Sequence, residues 1–115
     1  MSKEDGVAGS LTGAEAVELA GLVEVSTEAV VSRTIYKGKA GTLTVFAFDR
    51  GQELSEHSAP FDACVQVLEG RVELKIGGKP VEATAGQLVL MPADVPHAVR
   101  AVEPFKMLLI MLKGG

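Results

Sequence analysis

At 115 residues the chain fits one domain, whose folding buries roughly 60 to 70% of the surface an unfolded chain exposes. Hydrophobic residues make up 47% and charged residues 23%, a globular balance, and the net charge of −4 leaves no basic field for a phosphate backbone, so no nucleic-acid partner is expected. The N-terminus carries Glu4 and Asp5 where a secretory signal needs an apolar core, and the longest apolar run, Phe105 to Leu112, contains Lys106 and is too short to span a bilayer. These features predict a soluble, cytoplasmic protein with no membrane partner, and a single cysteine, Cys64, suits a reducing compartment.

Met1 to Ser10 is polar and glycine-containing and reads as a flexible tail ahead of one domain over residues 11–115. Thr12 followed by Glu15 fits a capping box opening a short helix through Leu19, while Leu22 to Val25 reads equally well as a strand. From there the period is that of strands. Val30 to Tyr36 and Thr42 to Phe48 are the first two, ended by the turn residues Asp49-Arg50-Gly51. Ala63 to Leu68 is a third, ended by Glu69-Gly70. Arg71 to Ile76 alternates cleanly, with Val72, Leu74 and Ile76 on one face and Arg71, Glu73 and Lys75 on the other. Gly77-Gly78 supplies the positive φ angles of a tight hairpin, so Lys79 to Thr84 pairs back on that strand. Gln87 to Met91, His97 to Val102 and Phe105 to Leu112 complete the set, with Pro92 to Pro96 as a turn. Short strands every 8 to 12 residues predict an all-β sandwich or barrel.

Phe105 to Leu112 is apolar at both parities, so both of its faces need cover. One meets the interior. The other needs the N-terminal segment or a partner subunit, and a homodimer is expected on this ground together with the valine-rich stretch Val17 to Val31.

His57 and His97 are the residues with metal-ligand chemistry besides Cys64, and each stands at a strand end beside a turn, where polar groups can meet a ligand without disrupting the interior. Gly51, five residues, His57, and then Val67-Leu68-Glu69-Gly70 resembles the first motif of the cupin superfamily. Gly86 to His97, with Pro92 inside it, resembles the second. The likeness spans about Thr42 to Leu112 and is greatest to small single-domain cupins of the conserved-barrel type 2 group. It implies an RmlC-like double-stranded β-helix, the jelly-roll barrel, with its small-molecule site inside and homodimers common.

In metal-binding cupins the first motif supplies two histidines and a glutamate, and the second supplies one histidine. Carried over by position, His57 and His97 are the metal candidates, while Ala59 and Ala63 occupy the second histidine and the glutamate positions. Ala101 stands where some members carry an asparagine. The resemblance therefore implies at most a weakly bound divalent transition metal, Zn, Fe, Ni or Mn, held by two imidazoles and water. Parity turns Cys64 and Gln66 away from the face shared by Ala63, Val65 and Val67, Glu56 opposes His57, and Asp62 reads as a turn-closing residue. Arg100, opposite in parity to His97, faces outward.

Met91, Met107 and Met111 with Phe46, Phe48, Phe61 and Phe105 form either plain core or an adaptable apolar pocket; Phe48, Phe61, Met91 and Met107 are the candidate ligand contacts. Three functions fit these residues: a barrel that binds a small molecule, a metal-dependent oxygenase or isomerase using His57 and His97, and a metal-free isomerase or epimerase with a histidine acid or base. The missing ligands favour the first. No catalytic residue is assigned.

Overall fold

The computed structural model describes residues 11–113. Among the described residues there are nine strands: β1 Val30–Lys37, β2 Gly41–Phe48, β3 Glu53–His57, β4 Asp62–Glu69, β5 Arg71–Ile76, β6 Lys79–Thr84, β7 Leu88–Met91, β8 His97–Ala101 and β9 Phe105–Leu112. They form two antiparallel sheets, one ordered β1-β2-β9-β4-β7 and the other β3-β8-β5-β6. Sequence alternation decides which side chains lie between them. On β4 the buried residues are Ala63, Val65 and Val67; on β5 they are Val72 and Leu74; on β8 they are His97, Val99 and Ala101. With Phe48, Ala83, Met91, Phe105 and Met107 they make the interior of a double-stranded β-helix.

Two glycine sites set the geometry of the connections. Gly77 and Gly78 have φ of 58° and 83°, the conformation of a two-residue hairpin, and Ile76 pairs with Lys79 across it. Gly70 is the single residue through which the chain leaves β4 in one sheet and enters β5 in the other. Its φ is 80°, and a Cβ there would run into the Pro104 carbonyl and Phe105, so only glycine fits this crossing.

The second apolar face of β9 is covered from within the chain. Leu108 and Ile110 join Ile35, Val45 and Ala47 in a second cluster, and residues 11–29 lie over it with Leu11, Leu19, Leu22 and Val23 directed inward. A bulge between Thr34 and Tyr36 leaves Ile35 unpaired and fully buried beneath this strap. Polar bonds tie it down along its length: Leu11 N donates to Ile35 O, Arg33 Nη1 to Leu22 O, Lys106 Nζ to Ala20 O at 2.7 Å, Glu28 N to Asp49 Oδ2 and Asp49 N to Ala29 O.

The N-terminal helix expectation is corrected here. No helix runs from Thr12 to Leu19; Gly13 and Ala14 form a turn, with Ala14 at φ 64°, and the one helical element of the strap is a 3-10 turn at Leu19–Leu22. Leu22 to Val25 is not a strand either. A helix over 12–19 could not have spread four apolar anchors along a sheet, and their burial outweighs a weak local propensity. β3 is the opposite case, a strand where none was expected. It pairs with β8 at an edge, and only Leu54 among its five residues is shielded.

Truncating the strap's best-buried residue tests this account. Val23, 5% exposed, loses about two methylene equivalents in Val23→Ala, which should destabilise the protein by about 1–2 kcal/mol in chemical denaturation. Val25→Ala, at an exposed position, should change stability by less than about 0.5 kcal/mol.

Candidate functional site

β3 and β8 are neighbours, and their register pairs His57 with His97 directly. A bulge between Leu54 and His57 turns the end of β3 so that both imidazoles reach the space between the sheets. The rings meet edge to face, with centroids 4.4 Å apart and Nε2 to Nε2 at 3.2 Å. His97 is buried at 6% exposure, whereas His57 stands at the rim, exposed to solvent.

Each ring is oriented from behind by a backbone carbonyl two residues earlier. His57 Nδ1–H donates to Ser55 O at 2.8 Å and His97 Nδ1–H to Val95 O at 3.2 Å. A carbonyl oxygen can only accept, so both neutral rings carry their proton on Nδ1 and present a bare lone pair at Nε2. In the neutral pair two lone pairs face each other at the mouth, 3.2 Å apart, a contact that is relieved when a proton or another cation sits on one Nε2. That arrangement invites one shared cation, or a donor group, between them.

The loop carrying His97 is tied to the loop following His57. Asp62 Oδ1 accepts from Ala93 N–H at 2.8 Å, Ala59 O accepts from Asp94 N–H at 2.7 Å, and Pro96 O accepts from Gly77 N–H at 2.8 Å. Asp62 thus closes a turn. Asp94, with φ 65°, occupies left-handed backbone that aspartate tolerates better than most residues.

Behind the imidazoles lies a cavity of about 50 Å³, lined by Leu54, Ala63, Met91, Val99, Met107, Leu109 and Met111 besides the histidines. Of the candidate ligand contacts, Met91 and Met107 line it. Phe48 does not: it is fully buried and stacked on Phe105, ring centroids 4.7 Å apart. Phe61 also lies outside the lining, with Lys113 Nζ 5.7 Å from its ring centre. Met111, read from the sequence as core or pocket without being chosen as a contact, lines it too, and Leu54, Val99 and Leu109 went unassigned, although Val99 shares the parity of His97 and Leu109 that of Met107. Among the described residues no group of three or more His, Cys, Asp or Glu side chains converges to hold a metal. Ala63 presents only a methyl group to the cavity, Cys64 and Gln66 lie on the other face of β4, and Arg100 points outward to Glu73 at 3.4 Å.

A family model described as "Cupin domain" matches residues 44–111, more than half of the chain and the span that carries both histidines. The chain belongs to the cupin family. Solved cupin-fold structures agree. This cupin is 36% identical to a conserved protein of unknown function from Streptococcus pyogenes, covering 93% of this chain and 94% of that one, with a TM-score of 0.86. It is 38% identical to a Cupin 2 conserved barrel domain protein from Leptotrichia buccalis, TM-score 0.79; the match covers 82% of this cupin and spans under half, 46%, of that protein. A cupin superfamily protein from Desulfitobacterium hafniense, at 24% identity, 90% and 94% coverage and a TM-score of 0.83, shares the fold. No curated protein matches this cupin.

Burial holds the His97 imidazole below its ordinary value of 6.5; the Val95 carbonyl bond opposes this and the nearby His57 adds to it. The unfolded chain therefore binds more protons than the folded one between that lowered value and about 6.5. Stability should be intact above about pH 6.5 and fall as the pH drops through this window, and a His97→Asn variant should lack the slope in denaturation at pH 7 and pH 5. Asp49, whose carboxylate accepts the backbone N–H of Glu28 and of Arg50, titrates below its ordinary 3.8, so its effect belongs to a separate, more acid window.

Proposed function

We propose that this cupin binds a small molecule at the His57–His97 pair, the compact apolar part of the ligand entering the barrel and a hydrogen-bond donor facing the two Nε2 atoms. The observation that carries this reading is the pair itself: two oriented acceptors, 3.2 Å apart, at the mouth of an otherwise apolar cavity. A cavity of about 50 Å³ takes a small group rather than a whole drug-sized ligand, whose pockets span roughly 300–1,000 Å³, so the remainder of the ligand lies at the solvent-facing rim beside His57. Neutral imidazoles with outward lone pairs repel a carboxylate and accept from an alcohol, phenol or amide.

Propanol, propionamide and propionate differ in this respect at similar size. In nitrogen-detected imidazole spectra at pH 7.5, propanol and propionamide should shift the Nε2 resonances of both histidines and propionate should leave them in place. Absence of any shift with the two donors would remove the reading.

The donor set does not fit the four-ligand divalent ion found in metal-binding members of the family. Two imidazoles can take neighbouring positions, but the side chains at the other two positions are the methyls of Ala59 and Ala63, and no oxygen donor lines the cavity. Zn, Fe, Ni or Mn held there would keep several waters and exchange readily. Elemental analysis after chelation and dialysis should find well below one equivalent of these metals per chain. Near-stoichiometric retention would favour a metal-dependent enzyme. No reaction step is assigned; the unprotonated Nε2 of the buried His97 gives the pair the capacity of a general base near neutral pH.

The cupin is also proposed to form a cytoplasmic homodimer. β7 is an edge strand, its outer backbone groups unpaired within the sheet, and its Leu88 and Leu90 are 61% and 54% exposed. Antiparallel pairing of β7 with its own copy about a two-fold axis satisfies that edge and covers both leucines. Light scattering at tens of micromolar should give a dimer, and Leu90→Lys a monomer. A monomeric wild type would contradict the proposal.

A further inference from the structure

The wall of the cavity facing the histidines has a chemistry of its own. Ala63, near the start of β4, pairs with Met91 on β7 and with Met111 on β9, so a methyl group is flanked on both sides by thioethers in one cross-strand row. Met107, four positions before Met111 and on the same face of β9, adds a third. All three line the same small cavity as His57 and His97. No carboxylate, amide or hydroxyl joins them, so every heteroatom that side chains offer to this space is an imidazole nitrogen or a thioether sulfur.

We propose that this cavity is a binding site for a soft monovalent cation, copper(I) in its biological form, held by Nε2 of His57 and His97 together with Sδ of Met91 and Met111. Thioether sulfur is a soft, uncharged donor that selects Cu(I) over Zn, Ni or Mn, and imidazole suits copper as well. The spacing of the nitrogens gives the coordination number. With imidazole–metal bonds of about 2.0–2.1 Å, an ion bonded to both nitrogens at 3.2 Å separation subtends an angle of about 100°. A linear two-coordinate ion would need the nitrogens about 4 Å apart. The bent angle belongs to a three- or four-coordinate ion, and sulfur is the donor available inside the cavity to complete it.

Size and shielding agree with this occupant. About 50 Å³ accommodates an ion with its contacts, and the apolar lining from Leu54 and Val99 keeps water, the competing ligand, away from it. Both Nδ1–H bonds to backbone carbonyls fix the tautomer in which Nε2 is free to bind, the outer-shell device common to metal-ligating histidines. The proposal rests on the reading of this cavity as the protein's binding site, and it names a ligand class that the alanines at 59 and 63 make accessible: without an oxygen donor the site disfavours hard divalent ions and keeps its soft donors.

The test uses the full chain carrying Cys64→Ser, so that the lone thiol on the outer face of β4 does not bind the probe. Cu(I), supplied anaerobically as its acetonitrile complex, is titrated in competition with bicinchoninate, and Ni(II) is titrated in parallel. Leucine replaces methionine with little change of volume, so Met91→Leu/Met111→Leu keeps the core filled. Expected are one equivalent of Cu(I) per chain, sulfur in its first shell by X-ray absorption, and a loss of Cu(I) affinity of at least about tenfold in the double leucine variant with weak Ni(II) binding unchanged. His97→Asn should weaken both ions. The proposal is overturned if Cu(I) does not compete with the chelator, if the leucine variant binds it as well as the parent does, or if the bound ion shows nitrogen and oxygen neighbours alone. Failure of Cu(I) alongside imidazole shifts from propanol or propionamide would discard copper and leave the small-molecule site standing; failure of all three would discard both.

Discussion

The constraint on which the structure depends is that β9 is apolar on both faces and lies at the centre of its sheet. It pairs with β2 on one side and β4 on the other along nearly its whole length. Phe105, Met107, Leu109 and Met111 then meet the opposing sheet, and Leu108 and Ile110 need a separate cover. The inner half of this demand creates the barrel. The outer half recruits residues 11–29, which have no regular structure worth having in isolation and gain theirs by burying Leu11, Leu19, Leu22 and Val23.

The site follows from the same packing. The residues of β9 that face inward are methionines at two of four positions, and the neighbouring strands place Ala63 and Met91 beside Met111. A small residue next to long flexible ones leaves a void that those residues shape without filling. The histidines close it from the other sheet, and their orientation comes from backbone carbonyls rather than from charged partners. The polar chemistry of this cupin is thus built from groups that need no counter-charge, which allows it to sit against a dry interior.

Most of the fold was legible because period-two alternation and glycine turns report directly on strands. Eight of the nine strands carry alternation, a short apolar run or bounding turn residues, including the Gly77-Gly78 hairpin. β3 does not, since Glu53, Ser55 and Glu56 surround Leu54 and a bulge breaks its parity before His57. The strap misled for a different reason: Thr12 and Glu15 have the right spacing for a capping box, but tertiary burial decided the conformation. At the site, motif spacing led to His57 and His97, and the adaptable shape of methionine led to Met91 and Met107. Phe48 could not be separated from cavity wall by parity alone, because its ring is occupied by stacking on Phe105, a contact between strands of the same sheet that neighbour each other only in the fold. The tethers to Ser55 O and Val95 O depend on backbone path and leave no trace in residue type.

The bond from Lys106 to Ala20 joins positions 86 residues apart. Contacts of such separation are made late, because a long loop has to close before they form. During synthesis the strap emerges well before β9, so Leu11, Leu19, Leu22 and Val23 wait without their binding surface until β9 has left the ribosome. β2 and β4 wait with them, each lacking the strand that lies between them in the finished sheet. Folding of this small barrel therefore waits for β9 to act as the keystone, and until then its nascent form exposes both an apolar ribbon and open strand edges to whatever chaperone or neighbour is at hand.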